Sequence, residues 1–259
     1  MINIHLAKEV TKIAKKAGEA ILKIYHEADD FGIQKKDDNS PLTLADQAAN
    51  QVICESLEKL EVQFPIISEE NKTIHFQERK NYKYYWLVDP LDGTKEFIKR
   101  NGEFTVNIAL VHQQRPVLGV VYTPVVDEMY FAVKGEGAFF EKNNTITSLH
   151  AASFSKKDKH LGVVCSRSHL NEATGKFIAE LDEPELVATG SSLKFLILAK
   201  GKAHLYPRLA PTMEWDTAAA QIILEESGGT VLQAETGEPL LYNKENLLNP
   251  FFVASGKMS

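Results

Sequence analysis

The segment that most constrains this chain is Asp89-Pro90-Leu91-Asp92-Gly93-Thr94, which follows the apolar run Tyr84-Tyr85-Trp86-Leu87-Val88. The run reads as a strand, and Pro90, which lacks an N–H and fixes φ, is expected to end it. The turn that follows can bring the carboxylates of Asp89 and Asp92 and the carbonyl of Leu91 into one small volume. Hard oxygens of that kind suit Mg²⁺, which takes one or two carboxylates and keeps sites for water and phosphate oxygens. Gly93 lets a backbone N–H approach an anion closely. Thr94, at a helix start, adds a hydroxyl at the positive end of the helix dipole. The alternative is a plain strand end with an Asp cap, and it must also account for the acidic residues elsewhere.

Those residues sit where other regular segments start or stop. Glu69 and Glu70 follow the apolar run Ile66-Ile67-Ser68, and Asp216 follows Glu214-Trp215 at the start of a helical stretch, 217–227. Carboxylates at the ends of separate strands and at a helix start are placed to converge. Taken singly, Asp216 reads as an N-cap and Thr43-x-x-Asp46 as a capping box.

Bulk properties narrow the field. A chain of 259 residues forms one large domain or two packed halves. A formal net charge of −6 argues against sequence-independent nucleic-acid binding, so any phosphate site must rely on local cations or metal. Cys54 and Cys165 lie in no metal-ligand spacing and read as free thiols of a reducing compartment, the cytoplasm. No apolar run is long enough to span a membrane, and residues 1–25 lack the continuous apolar core of a signal peptide. Ile4, Leu6, Val10, Ile13, Ala17, Ile21 and Ile24 recur at helical spacing with lysines between them. A helix packed against the body is expected. The alternative is a basic helix lying peripherally on the inner face of a membrane.

Along the chain, helices are expected at 4–27 and 43–60, a polar loop at 28–42 and a short strand at 65–67. Strand-like runs at 104–111, 117–122, 129–133 and 138–141, separated by turn signals, indicate a largely antiparallel sheet. Beyond them, strands at 161–165, 186–189, 203–206 and 230–233 alternate with helices at 172–181, 193–200 and 216–227. That alternation indicates a second sheet covered by helices. A soft boundary near 151–155 divides a half at 1–152 from a half at 153–259, the two packed as one unit.

The run Asp89 to Phe97, the pair Glu69-Glu70 and the string Glu214-Trp-Asp-Thr-Ala-Ala219 resemble the inositol monophosphatase superfamily. Lys95-Glu96-Phe97, Ser166-Arg167-Ser168-His169 and the string from Tyr206 to Glu214 are most similar to its bacterial 3′(2′),5′-bisphosphate nucleotidase branch. The resemblance covers essentially the whole chain, with Ala210 and Ala220 standing where Gly is more common. It implies an α/β (α+β) fold, a layered αβαβα sandwich of two packed sheets with helices, with the site between the halves. It implies Glu69, Asp89, Asp92, Asp216 and the Leu91 carbonyl as ligands of two or three Mg²⁺ ions, with Gly93 and Thr94 on the scissile phosphate. Thr94, assisted by Asp46, would activate the attacking water, with Glu70 behind them. The implied reaction converts adenosine 3′,5′-bisphosphate to AMP and phosphate, clears a by-product of sulfate assimilation, and is sensitive to Li⁺.

The chemistry is consistent with this, because phosphate monoester hydrolysis is extremely slow and is catalysed by positioning and charge neutralisation. A Thr hydroxyl is a poor base alone, so Thr94 needs Asp46. For the second phosphate and the base, the candidates are Ser191, Ser192, Lys194 and Arg208. Lys194 and Arg208 can each pair with a 5′-phosphate, Arg bidentately. Their alternative reading is solvated charge on a helix and a strand end. Lys35 and Lys36 read as solvated loop lysines, and His169 as a surface or satisfied histidine. Two other functions stay open: an inositol or sugar monophosphatase on the same scaffold, and a non-catalytic nucleotide or metal sensor. Retention of Thr94 with Asp46 speaks against the sensor.

Overall fold

In a computed structural model, which describes residues 2–28, 30–36, 41–71, 74–165 and 171–259 apart from the Lys35 side chain, the Tyr84 run lies inside a seven-stranded sheet. The strands follow one another in chain order, from Ile66–Ser68 and Tyr84–Asp92 to Gly137–Lys142 and Thr145–Ser148. Only the first pair is parallel. Successive side chains point to opposite faces. Trp86, Val88, Ile108 and Leu110 pack under the helices Ile4–Glu27 and Leu44–Leu57, whereas Tyr85, Leu87, Ala109 and Val111 face Leu193–Ala199 and Glu214–Glu226. Helices on both faces explain why the run contains no polar residue.

The second sheet has the order Glu185–Ala188, Gly162–Cys165, Leu205–Arg208, Phe252–Ser255, Thr230–Gln233. Its first three strands are parallel, and the strand Phe252–Ser255 inserts antiparallel between Leu205–Arg208 and Thr230–Gln233. With Glu172–Ala179 packed against its strand Leu205–Arg208, the layers read αβαβα. The strand Phe252–Ser255 is not among the elements expected from the sequence.

Helix Ile4–Glu27 starts where the Asn3 side chain accepts the Leu6 N–H at 3.1 Å. Its apolar stripe, including Val10, Ala14, Ala17 and Ile21, is buried in the core, so the face that a membrane would need is already covered. Among the described residues, no helix is long and apolar enough to cross a membrane.

Two expectations are corrected. Pro90 does not end its strand, which runs on to Asp92. Asp89 pairs with Asn107 and Asp92 with Thr105, so two residues oppose one and Pro90 sits in the resulting bulge, where no ladder N–H is missed. Asp216 does not begin its helix. The helix starts at Glu214, so Asp216 is its third residue.

The site depends on how closely that helix approaches the sheet. Ala109, Gly119, Ala132 and Ala138 form a cross-strand row of small residues beneath it. A Cβ at Gly119 would overlap the Ala219 carbonyl oxygen and the Ile222 side chain. Gly119→Ala is therefore expected to destabilise the protein by about 1–3 kcal/mol through overpacking. Urea unfolding measures this, and a stability unchanged from wild type would contradict the close-approach argument.

Candidate active site

The parallel register Ser68 to Val88 brings Glu69 alongside Asp89, and the Glu69 N–H donates to the Val88 carbonyl at 3.1 Å. Asp216 arrives from the first turn of the helix on the sheet's other side. Glu69, Asp89 and Asp216 each offer a carboxylate oxygen, and these atoms lie within 4.8 Å of one another. Asp89 is only 2% exposed. Burial, then the like charges of Glu69, Asp92 and Asp216, push its carboxyl well above the usual carboxylate range. Asp216 is raised for the same reasons, and burial raises Glu69. An all-oxygen cluster with Asp89 buried at its centre and Glu69 and Asp216 half-buried has the donor set that Mg²⁺ takes.

Bonds around the cluster hold the carboxylates in place. The Leu91 N–H donates to Asp89 Oδ1 at 3.1 Å. The Met213 N–H donates to Asp216 Oδ2 at 2.9 Å, so Asp216 is a helix cap and a member of the cluster at once. Asp92 Oδ2 accepts the Ser192 N–H at 2.6 Å and the Ser192 hydroxyl at 2.8 Å. The polar groups of Ser192 are thus directed at the carboxylates.

Thr94 follows Gly93, whose φ of +100° places it in the left-handed region. A Cβ there would lie 3.0 Å from the Glu103 carbonyl oxygen and 3.3 Å from Ser191 Cβ. The Thr94 hydroxyl donates to Asp46 Oδ1 at 3.1 Å and lies 3.4 Å from the Leu91 carbonyl oxygen. Asp46 Oδ2 accepts the N–H and hydroxyl of Thr43, which is the capping box read in the sequence. Burial pushes the Asp46 carboxyl up. One turn later on the same helix, Asn50 accepts the Ser68 hydroxyl at 2.7 Å, tying the helix to the Glu69 turn.

Lys36 is not a solvated loop lysine. Its ammonium lies 2.6 Å from Glu69 Oε1 and from Glu70 Oε1. Burial opposes its charge, but the two carboxylates outweigh burial and raise its pKa. Glu70, half-buried, is pushed up to about 7, with burial outweighing Lys36. Charge order in sequence could not pair residues so far apart.

Beside the cluster opens a cavity of about 520 Å³, lined by Asp92, Gly93, Ser191, Lys194, Arg208 and Asp216 among others. Lys194 is buried rather than solvated, and burial lowers its pKa to about 8. Its ammonium donates to the Ser191 carbonyl at 2.8 Å and lies 5.8 Å from the Tyr206 ring centroid. Arg208 donates through Nη2 to the Pro211 carbonyl at 2.8 Å. Among the described residues, Arg208 Nε and Ser191 Oγ are buried without a hydrogen-bond partner, which points to a polar ligand in this cavity.

The short helix Thr94–Ile98 is anchored by Phe97, fully buried against the rings of Tyr25, Phe31 and Phe104. Ala220 sits buried inside its helix without conformational strain. Ser166-Arg167-Ser168-His169 and the Lys35 side chain lie outside the described residues. Sequence reasoning passed over Asn107, whose only signal is a polar residue amid the apolar strand Thr105–His112.

An acidic metal turn, a Thr–Asp pair and a layered αβαβα scaffold together define a metal-dependent phosphatase class. The chain belongs to the inositol monophosphatase family, whose profile matches residues 4–254. A Salmonella typhimurium relative named 3′(2′),5′-bisphosphate nucleotidase CysQ is 44% identical over 248 residues, covering 95% of this chain and 98% of that protein. The Escherichia coli K12 protein of the same name is 43% identical over the same length, with the same coverage. The crystal structure of CysQ from Bacteroides thetaiotaomicron has a TM-score of 0.85 at 44% identity, covering 98% of each chain. The structure of suhB from Bartonella henselae, 24% identical with a TM-score of 0.78, covers 97% of this chain and 94% of its own and shares the fold. Enzymes of the family use Mg²⁺, in keeping with the acidic cluster.

The raised carboxyls give a pH signature. With folded values above the ordinary carboxylate range, and Glu70 at about 7, the folded chain binds more protons than the unfolded one between that range and pH 7. Stability of the metal-free protein therefore falls as pH rises through this window. Mg²⁺ binds the deprotonated groups, so the rise in Tm it produces should grow from about pH 5 to about pH 8. Thermal melts with and without Mg²⁺ test this, and a gain that is constant or larger in acid would contradict it.

Proposed function

We propose that this chain is a Mg²⁺-dependent phosphatase that hydrolyses the 3′-phosphate of adenosine 3′,5′-bisphosphate to AMP and phosphate. One observation carries the reading: three converging carboxylates and a Thr–Asp pair adjoin a cavity lined by Lys95, Lys99, Lys194 and Arg208. Glu69, Asp89, Asp92, Asp216 and the Leu91 carbonyl would hold two or three ions. When bound, Mg²⁺ neutralises the phosphoryl oxygens and lowers the pKa of a water.

The chain's own residues do the rest. Gly93 and Thr94 cradle the scissile phosphate through their backbone. The Thr94 hydroxyl, already donating to Asp46, orients the attacking water and relays its proton to the Asp46 carboxylate. The raised pKa of Asp46 makes it a better acceptor, and Glu70 supports the site from behind. Water's oxygen forms the new P–O bond as the bond from phosphorus to the ribose 3′-oxygen breaks. Solvent protonates the leaving oxygen to the alcohol and takes up the proton that Asp46 accepted.

Lys194 and Arg208 take the non-reacting 5′-phosphate, with Ser191 completing the nucleotide contacts. In this reading the half at 1–152 supplies the metal turn and the half at 153–259 supplies Asp216 and the nucleotide wall. The free thiols Cys54 and Cys165 fit a cytoplasmic setting.

Phosphate release from adenosine 3′,5′-bisphosphate, adenosine 3′-monophosphate and inositol monophosphate tests the assignment. Arg208→Ala should lower kcat/KM for the bisphosphate by about ten- to a hundredfold, roughly 1.5–3 kcal/mol for a lost charge-assisted contact. The 3′-monophosphate, which never had that contact, should lose little. Equal losses would remove Arg208 from the 5′-phosphate. A wild-type preference for inositol monophosphate would overturn the substrate while sparing the metal chemistry.

A further inference from the structure

Asn107 is only 1% exposed, on the strand Thr105–His112 directly across from Asp89. A buried amide costs free energy unless its groups are bonded. Its Oδ1 accepts the hydroxyl of buried Thr105 at 3.0 Å, which turns its Nδ2 toward Ser192 Oγ, also at 3.0 Å. Asp92 Oδ2 lies at 3.5 Å from the same nitrogen. The Ser192 hydroxyl has one proton. With Asn107 donating to its lone pair, that proton is directed to the acceptors on its other side, Asp92 Oδ2 and the Asp216 carbonyl, each at 2.8 Å. The bonds from Thr105 to Asn107 to Ser192 therefore run one way, and at Ser192 the hydroxyl proton is shared between Asp92 Oδ2 and the Asp216 carbonyl, both at the acidic cluster. Thr105, Asn107 and Ser192 are all shielded from water.

Ser192 also closes a strained loop. Ser191 before it has φ of +39°, a backbone state costly for a residue with a Cβ, and its carbonyl accepts the Lys194 ammonium. Two bonds from Ser192 to Asp92 hold this loop down. The segment that forms the nucleotide wall is thus fastened to the acidic turn at one residue.

We propose that Asn107 is a positioning residue of the reaction, acting through Ser192 to hold one oxygen of Asp92 so that the carboxylate presents itself to the metal. This rests on the reading of Asp92 as a ligand. Groups that orient metal ligands are typically worth 10- to 100-fold in metal affinity or activity.

Isothermal titration of Mg²⁺ into the nucleotide-free protein tests this without turnover. The wild type, Asp92→Asn, Asn107→Leu, Ser192→Ala and the Asn107/Ser192 double variant are compared, with folding followed by circular dichroism. Asn107→Leu and Ser192→Ala should each weaken Mg²⁺ binding about tenfold. The double variant should lose no more than the worse single one, because both act on one chain of bonds. Should Asn107→Leu fail to fold, Asn107→Ala takes its place in the cycle. Affinity within twofold of wild type in a folded Asn107 variant, or additive losses in the double, would overturn the proposal. If Asp92→Asn itself left Mg²⁺ binding untouched, the ligand reading would fail, and this inference with it.

Discussion

Mutual repulsion among closely set carboxylates is the constraint around which the rest of this structure is arranged. Glu69, Asp89 and Asp216 come within 4.8 Å of one another, with Asp92 near enough to raise the Asp89 carboxyl further. At such distances two unit charges repel by several kcal/mol, even at an effective dielectric of about 20. A fold tolerates that only if rigid elements hold the groups there and a cation binds among them. Here the rigid elements are two adjacent strands and a helix seated on a row of alanines and one glycine. Lys36 supplies part of the compensation, against Glu69 and Glu70.

The same economy of groups recurs around the site. Asp46 caps a helix with one oxygen and accepts from Thr94 with the other. Asp216 caps its own helix and belongs to the acidic cluster. Capping and chemistry are not alternatives for such a residue, because a carboxylate has two oxygens. The cap is what fixes the direction of the second one.

Local chemistry made the helices, the antiparallel run of strands and the acidic turn legible. Five apolar residues followed by Asp-Pro-x-Asp carry their own geometric consequences, although the bulge at Pro90 did not show. A proline without its N–H fits a strand end and a bulge equally well. Interactions between distant segments stayed hidden. The pairing of Lys36 with Glu69 and Glu70, the burial of Lys194, and the link from Asn107 through Ser192 to Asp92 join residues from separate elements. Their neighbours in sequence say nothing of this. Phe97 is similar, because its role in anchoring the Thr94 helix depends on rings contributed by Tyr25, Phe31 and Phe104.

The central claim is that the converging carboxylates form the metal centre. Crystals soaked in Mn²⁺, a hard cation that takes the same oxygen ligands, test it most directly through anomalous diffraction. The account predicts anomalous peaks within coordination distance of Glu69, Asp89 and Asp216, with any further ion at Asp92. Mn²⁺ bound elsewhere, with the carboxylates of Glu69, Asp89 and Asp216 left unligated, would contradict it.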